Sequence, residues 1–175
     1  MSETAVLGGG CFWCLEASFQ LIEGVEKVVP GYAGGSSSGP DYWSVHGGEG
    51  GHAEVVQVTF NPEIISYSDI LDIFWAIHDP TTPNRQGNDV GPEYRSIILY
   101  ANDEQKHDAM TSMAKAQMHW KDLIITELKP LEKFYEAEPE HHDYFKKHPE
   151  QAYCVVVINP KLEKLRAKFT SKLKK

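Results

Sequence analysis

The sequence predicts an α+β fold: a two-layer split βαβ (ferredoxin-like) plait with a mixed sheet and a C-terminal extension, formed by residues 1–175 as a single domain. Three observations carry that expectation. Apolar residues recur at helical spacing in two stretches, Phe12–Glu23 and Ser68–Ile77. Residues 52–60 alternate as a half-buried strand does. Short apolar stretches lie between and beside these, so the order runs strand, helix, strand, strand, helix, strand, the sequence of elements in a split βαβ unit.

Taken in order, Ala5–Leu7 is a short apolar strand, and Phe12, Leu15, Phe19 and Ile22 form the inward stripe of the first helix. Gly24 ends that helix, and Val25–Tyr32 is the second strand, with Pro30 at an edge or bulge. Residues 34–51 read as a Gly/Ser loop interrupted by Tyr42 and Trp43. In the third strand, His52–Phe60, Glu54 shares a face with Val56, Val58 and Phe60, while Ala53, Val55, Gln57 and Thr59 take the other. Ser68–Ile77 supplies the second helix, Ser96–Tyr100 the fourth strand and Asp103–His119 the third helix. Residues 78–93 lack periodicity, and a loop of that length in a compact domain is functional or disordered. Beyond them, Ile124–Leu128, the Phe134-Tyr135 loop, the polar stretch Glu138–Glu150, a strand at Val155–Ile158 and a basic helix decorate the same unit.

Composition narrows the function. A net charge of −8 disfavours nucleic acid and anionic lipid as partners. No apolar run approaches the ~20 residues of a spanning helix. Met1-Ser2-Glu3-Thr4 carries no basic region ahead of its apolar stretch, so a cytoplasmic location is expected. Seven of the 17 basic residues gather at Lys161, Lys164, Arg166, Lys168, Lys172, Lys174 and Lys175; with Leu162, Leu165, Phe169 and Leu173 on one side, they read as the solvated face of an amphipathic helix. Three cysteines in such a chain point to reactive thiols rather than a disulfide framework.

The segment Gly8-Gly9-Gly10-Cys11-Phe12-Trp13-Cys14 concentrates the chemistry. It places two thiols three residues apart where a strand gives way to a helix. Unpaired N–H groups and the positive end of the helix dipole favour thiolate there, and the glycines allow close approach. Thiol–disulfide exchange, nucleophilic catalysis through sulfur and metal binding all use such a pair. A structural zinc would need two more ligands, and Cys154 with scattered His141, His142 and His148 does not supply them at usable spacing, so no metal is expected. His141-His142, within a charged run, reads as solvated surface. A glutaredoxin-like disulfide oxidoreductase also carries two cysteines at a helix start, but is shorter and has no use for a polar loop such as 78–93. A protein that only binds apolar or oxidised side chains through Phe12, Trp13 and Tyr42 is the non-catalytic alternative. For nucleophilic catalysis the acid–base partners would come from Asp41-Tyr42-Trp43, Gly50-Gly51-His52-Ala53-Glu54 and Asn88–Arg95; a Glu beside glycines at a strand start can be buried, its pKa raised enough to donate a proton at neutral pH.

Six segments, in order, sharpen this reading: Gly10-Cys11-Phe12-Trp13, Gly31-Tyr32-Ala33-Gly34-Gly35, Pro40-Asp41-Tyr42, Gly51-His52-Ala53-Glu54, Phe74-Trp75-Ala76-Ile77-His78-Asp79-Pro80 and the run Arg85–Ser96. Through them the chain resembles the A-type peptide methionine sulfoxide reductases over nearly its full length. The resemblance implies Cys11 as nucleophile, Phe12 and Trp13 as the pocket for the substrate methyl group, and Glu54 as the acid. It further implies that Tyr42 and Tyr94 hydrogen-bond the sulfoxide oxygen and that Asp89 holds water or the substrate backbone. No cofactor is implied. The substrate is the S epimer of methionine sulfoxide, free or in a peptide or protein, and the reductant is thioredoxin. Where many relatives have Gly, this chain has Cys14, and it continues through Ala152-Tyr153-Cys154-Val155 instead of ending in a glycine-rich cysteine tail. Cys14 and Cys154 therefore compete to resolve the oxidised Cys11. Cys14 is favoured for its proximity, with Cys154 as an inert strand residue.

Overall fold

A computed structural model describes residues 1–175. β1 (Glu3–Gly8), β2 (Val25–Ala33), β3 (Ala53–Phe60), β6 (Ile97–Tyr100), β7 (Glu127–Pro130) and β8 (Tyr135–Glu136) form one sheet in the order β7-β6-β1-β3-β2-β8. The four strands β6-β1-β3-β2 pair antiparallel throughout, which is the strand order of the split βαβ plait. β7 joins β6 in parallel, making the sheet mixed as expected. A separate two-stranded hairpin, β4 (Arg85–Gln86) with β5 (Asp89–Val90), gives structure to the stretch that sequence read as an aperiodic loop.

The helices are α1 (Phe12–Phe19), α2 (Tyr42–His46), α3 (Tyr67–Ile77), α4 (Asp103–Gln117), α5 (Tyr144–Lys147) and α6 (Asn159–Lys168). The alternation in β3 sorts its side chains as the sequence predicted. Val56, Val58 and Phe60 join Leu7, Val28 and Ile98 under α1 and α3 in the main core. Ala53 and Val55 join Val6, Ala33, Ile97 and Leu99 on the opposite face, covered by Leu131 and Phe134. The face shared with Val56 is the one that carries Glu54 inward.

Several boundaries and elements differ from expectation. α1 stops at Phe19 rather than Glu23, because its last turn tightens: Leu21 donates to the Ser18 carbonyl and Ile22 to that of Phe19. The chain then reverses at Gly24 with φ +90°. The bulge in β2 lies between Val25 and Lys27, not at Pro30, whose carbonyl accepts from Ala137 and whose missing N–H faces the edge where β8 gives out. The Gly/Ser loop contains α2, nucleated by a capping box in which Asp41 accepts from the Ser44 backbone and Ser44 from that of Asp41. The expected strand at Val155–Ile158 is a π-helical turn, Cys154–Ile158, running directly into α6. Burial decides it: Cys154 and Ile158, one helical turn apart, face the core, while Val155 and Val156 face solvent. The basic helix ends at Lys168, and Leu173 reaches the core through a bridge to Ile22 instead of along a continuous helical face.

Candidate active site

The glycines before Cys11 serve the chain's own packing. A Cβ on Gly8 would lie 2.8 Å from Ile97 and 2.9 Å from the Glu54 carbonyl, and one on Gly9 would lie 2.9 Å from the His78 ring. Only glycine lets this turn press between β3, β6 and α3 and so aim α1. Cys11 is the N-cap of α1, its carbonyl accepting from Cys14 at 3.1 Å and its side chain buried. The orphan N–H of Phe12 at the helix start donates to Glu54 Oε1 at 3.1 Å across 42 residues of sequence. Glu54 itself is 2 % exposed. Burial first, then the carboxylates of Glu93 and Asp89, push its pKa up to about 8, against the lowering pull of the Phe12 N–H. At neutral pH this carboxyl carries a proton.

The thiols interact as a pair. Burial raises Cys11 well above the usual thiol range, with Cys14 and Glu54 adding to the effect and the Trp13 backbone opposing it. Cys14 is drawn down to about 7, first by its hydrogen bond with Cys11, then, against the cost of burial, by Lys161 and the Tyr153 hydroxyl. The two thiols thus titrate as a pair, with Cys14 drawn down and Cys11 pushed up. Cys154 is fully buried where the π-helical turn packs on α1; burial and the nearby Cys14 raise its pKa. All three thiols are free.

Tyr42 and Tyr94 both ionise less readily than free phenols, chiefly through burial and then because Glu54 and Cys11 face them; Asp89 acts on both in the same direction. Both phenols stay protonated donors. The fold thus brings Cys11, Cys14, Glu54, Tyr42, Tyr94 and Asp89, from the start of α1, β3, α2, the 3-10 turn Pro92–Tyr94 and β5, near enough to shift one another's ionisation. Phe12 is fully buried beside Tyr32 (ring centroids 5.6 Å apart), whereas Trp13 lies partly open.

Four further residues enter this site in roles that the sequence reading did not give them. The Tyr153 hydroxyl donates to Asp89 Oδ2 at 2.6 Å and lies 3.6 Å from Cys14 Sγ. Glu138 accepts from the Tyr32 hydroxyl at 2.8 Å with one oxygen and from the Tyr42 backbone at 2.9 Å with the other. His141, read as solvated surface, is buried: it accepts from Trp13 Nε1 at 3.2 Å and stacks on Tyr42 with centroids 4.6 Å apart. Tyr144 lies flat on Trp13 at 3.7 Å, with 6° between the rings. The aromatic content of the 134–153 stretch was the available signal, masked by the charges interspersed with it.

A family profile described as peptide methionine sulfoxide reductase matches residues 3–173. The chain belongs to that family. The peptide methionine sulfoxide reductase MsrA of Leptospira borgpetersenii serovar Hardjo-bovis is 57 % identical over 162 residues, covering 93 % of this chain and 92 % of the relative. Among solved structures, reduced Mxr1 from Saccharomyces cerevisiae superposes with a TM-score of 0.83 at 34 % identity, covering 87 % of this chain and 89 % of that one. Mxr1 in complex with Trx2 gives 0.60 at 26 % identity, covering 82 % and 84 %.

Proposed function

We propose that this chain reduces methionine sulfoxide, free or within a peptide or protein, to methionine, taking the S epimer. The observation that carries the reading is the buried Glu54, its oxygen held by the Phe12 N–H at the start of the helix that begins after Cys11 and its pKa raised by burial. A sulfoxide sulfur accepts a nucleophile only when its oxygen is made a leaving group, so thiol and proton donors must converge on adjacent atoms. In this reading Phe12 and Trp13 receive the substrate methyl group, Tyr42 and Tyr94 hydrogen-bond the sulfoxide oxygen, Glu54 protonates it, and Asp89 orients water or the substrate backbone.

The Cys11 sulfur attacks the substrate sulfur, oxygen passes to Cys11, and methionine leaves; Cys11 thiol plus sulfoxide becomes Cys11 sulfenic acid plus thioether, with no external electrons needed. A second thiol then condenses with the sulfenic acid, forming a disulfide and releasing water. Cys14 is our choice for that thiol: it is drawn toward thiolate, whereas Cys154 is buried and raised. An external dithiol reduces the disulfide, and the complex of Mxr1 with Trx2 supports a thioredoxin in that role. We place the chain in the cytoplasm, where a protein using three thiols stays reduced. Purified protein supplied with dithiothreitol and methionine sulfoxide is expected to release methionine over many turnovers; no methionine, or activity confined to disulfide substrates, overturns the reading.

A further inference from the structure

One buried carboxylate stands outside the reaction just described. Glu16, on α1 five residues after Cys11, is 2 % exposed, and its Oε2 accepts the backbone N–H of Asp143 at 3.0 Å. Asp143 sits in the left-handed region, φ 53° and ψ 35°, and opens α5. From the next turn of α1, Gln20 Nε2 donates to the Asp143 side chain at 2.7 Å. Two side chains of the thiol-bearing helix therefore grip one residue, which is the hinge between two pieces of the aromatic wall. His141, two residues before, bonds Trp13 and stacks on Tyr42; Tyr144, one residue after, lies flat on Trp13.

We infer that Glu16 is a positioning residue for substrate binding: it holds Asp143 in a left-handed backbone conformation and thereby sets Tyr144 against Trp13. Asp enters that region more readily than most residues, at a modest cost, and here two side chains of the thiol-bearing helix fix it there. Burying a carboxylate is also costly, and the backbone N–H groups of Asp143 and Tyr144 stabilise it there against burial and the Asp143 charge. Neither cost serves the core, since Glu16 touches the wall and not the reacting sulfur. What the pair of costs secures is the orientation of Tyr144 over Trp13.

The inference rests on the proposed methionine sulfoxide reduction, and kinetics on a methionine sulfoxide peptide with dithiothreitol test both separately. Glu16→Ala is expected to raise KM about tenfold, the worth of about one buried hydrogen bond, with kcat within about twofold of the parent. Glu16→Asp, charged but one methylene short, shares the rise, while Glu16→Gln, which keeps the reach and an acceptor, stays within about threefold of the parent. The Asp and Gln variants keep the test decisive if the alanine variant does not fold. Tyr144→Ala combined with Glu16→Asp is expected to be no worse than Tyr144→Ala alone, because both act through one contact. Additive effects, a KM unchanged by Glu16→Asp, or a fall in kcat alone overturn the positioning role while the parent enzyme turns over; a parent that forms no methionine overturns the proposed function instead.

Discussion

Tyr153 donates its hydroxyl proton to Asp89 at 2.6 Å, joining the C-terminal segment to the β4–β5 hairpin beside the thiol pair. The Tyr153 oxygen also lies 3.6 Å from Cys14 Sγ, a contact that helps draw this thiol toward thiolate. The pair therefore bears on the thiol that resolves, not on the thiol that attacks. Tyr153→Phe is expected to leave the first methionine per enzyme within about twofold of the parent rate and to slow disulfide formation about tenfold. Rapid quench with thiol trapping measures the two steps; equal slowing of both would place Tyr153 in sulfoxide reduction itself.

Cys11→Ser is expected to abolish methionine formation. Cys14→Ser retains one turnover without reductant, because only Cys11 attacks sulfur in this scheme. Peptide mapping of the wild type after one equivalent of methionine sulfoxide should find a Cys11–Cys14 disulfide. A dominant linkage to Cys154 would assign the resolving role to the π-helical turn.

Glu54 sets the pH response. Its proton is present below its pKa of about 8 and lost above, so the single-turnover rate is expected to fall as pH rises past that value. Glu54→Gln should slow the step by about 10²–10⁴-fold with little change in affinity. Stability follows the same sign. The folded chain keeps this proton at pH values where the unfolded chain, with an ordinary value of 4.5, has lost it, so the group's stabilisation is complete below 4.5 and lost as pH rises through 8. Glu16, raised to about 7, acts in the same direction. Thermal unfolding from pH 4.5 to 8 should show the parent's Tm declining relative to that of Glu54→Gln; a parent that gains on the variant across that window contradicts the assignment.

Gly31→Ala tests the edge of the sheet. A Cβ there would run into the Phe134 ring and lie 2.5 Å from the Tyr135 carbonyl, and backbone cannot yield as a flexible side chain does. The variant is expected to lose about 1–3 kcal/mol, lowering Tm by roughly 2–4 °C per kcal/mol. Calorimetry reads it directly; an unchanged Tm would mean that β8 moves away without cost.

Where one local force dominates, the sequence was legible. The plait emerged because β3 alternates cleanly and α3 carries its stripe, and the face assigned to Glu54 is the one it occupies. The run Val155–Ile158 misled because β-branched residues favour strands, yet burial of Cys154 and Ile158 one helical turn apart outweighs that preference. His141 was hidden by its charged neighbours: its burial depends on Trp13, 128 residues away, a contact that local pattern cannot reveal. Glu16 falls outside the stripe Phe12, Leu15, Phe19 and Ile22, and only the return of Asp143 onto α1 covers it.

The position of β1 has a consequence for synthesis. Leu7 pairs with Val56 on one side and Ile98 on the other, so the strand leading into Cys11 is flanked by partners about fifty and ninety residues downstream. Such non-local pairing pays its loop-closure entropy before any contact repays it, and folding is correspondingly slow. On the ribosome the thiol pair emerges before the strands that enclose it, since β3 closes one flank of β1 and the other stays open until β6 has been made. During that interval Cys11 and Cys14 lie open to the oxidants whose damage to methionine the finished enzyme repairs, and their safety rests on the reducing power of the surroundings, not on the fold.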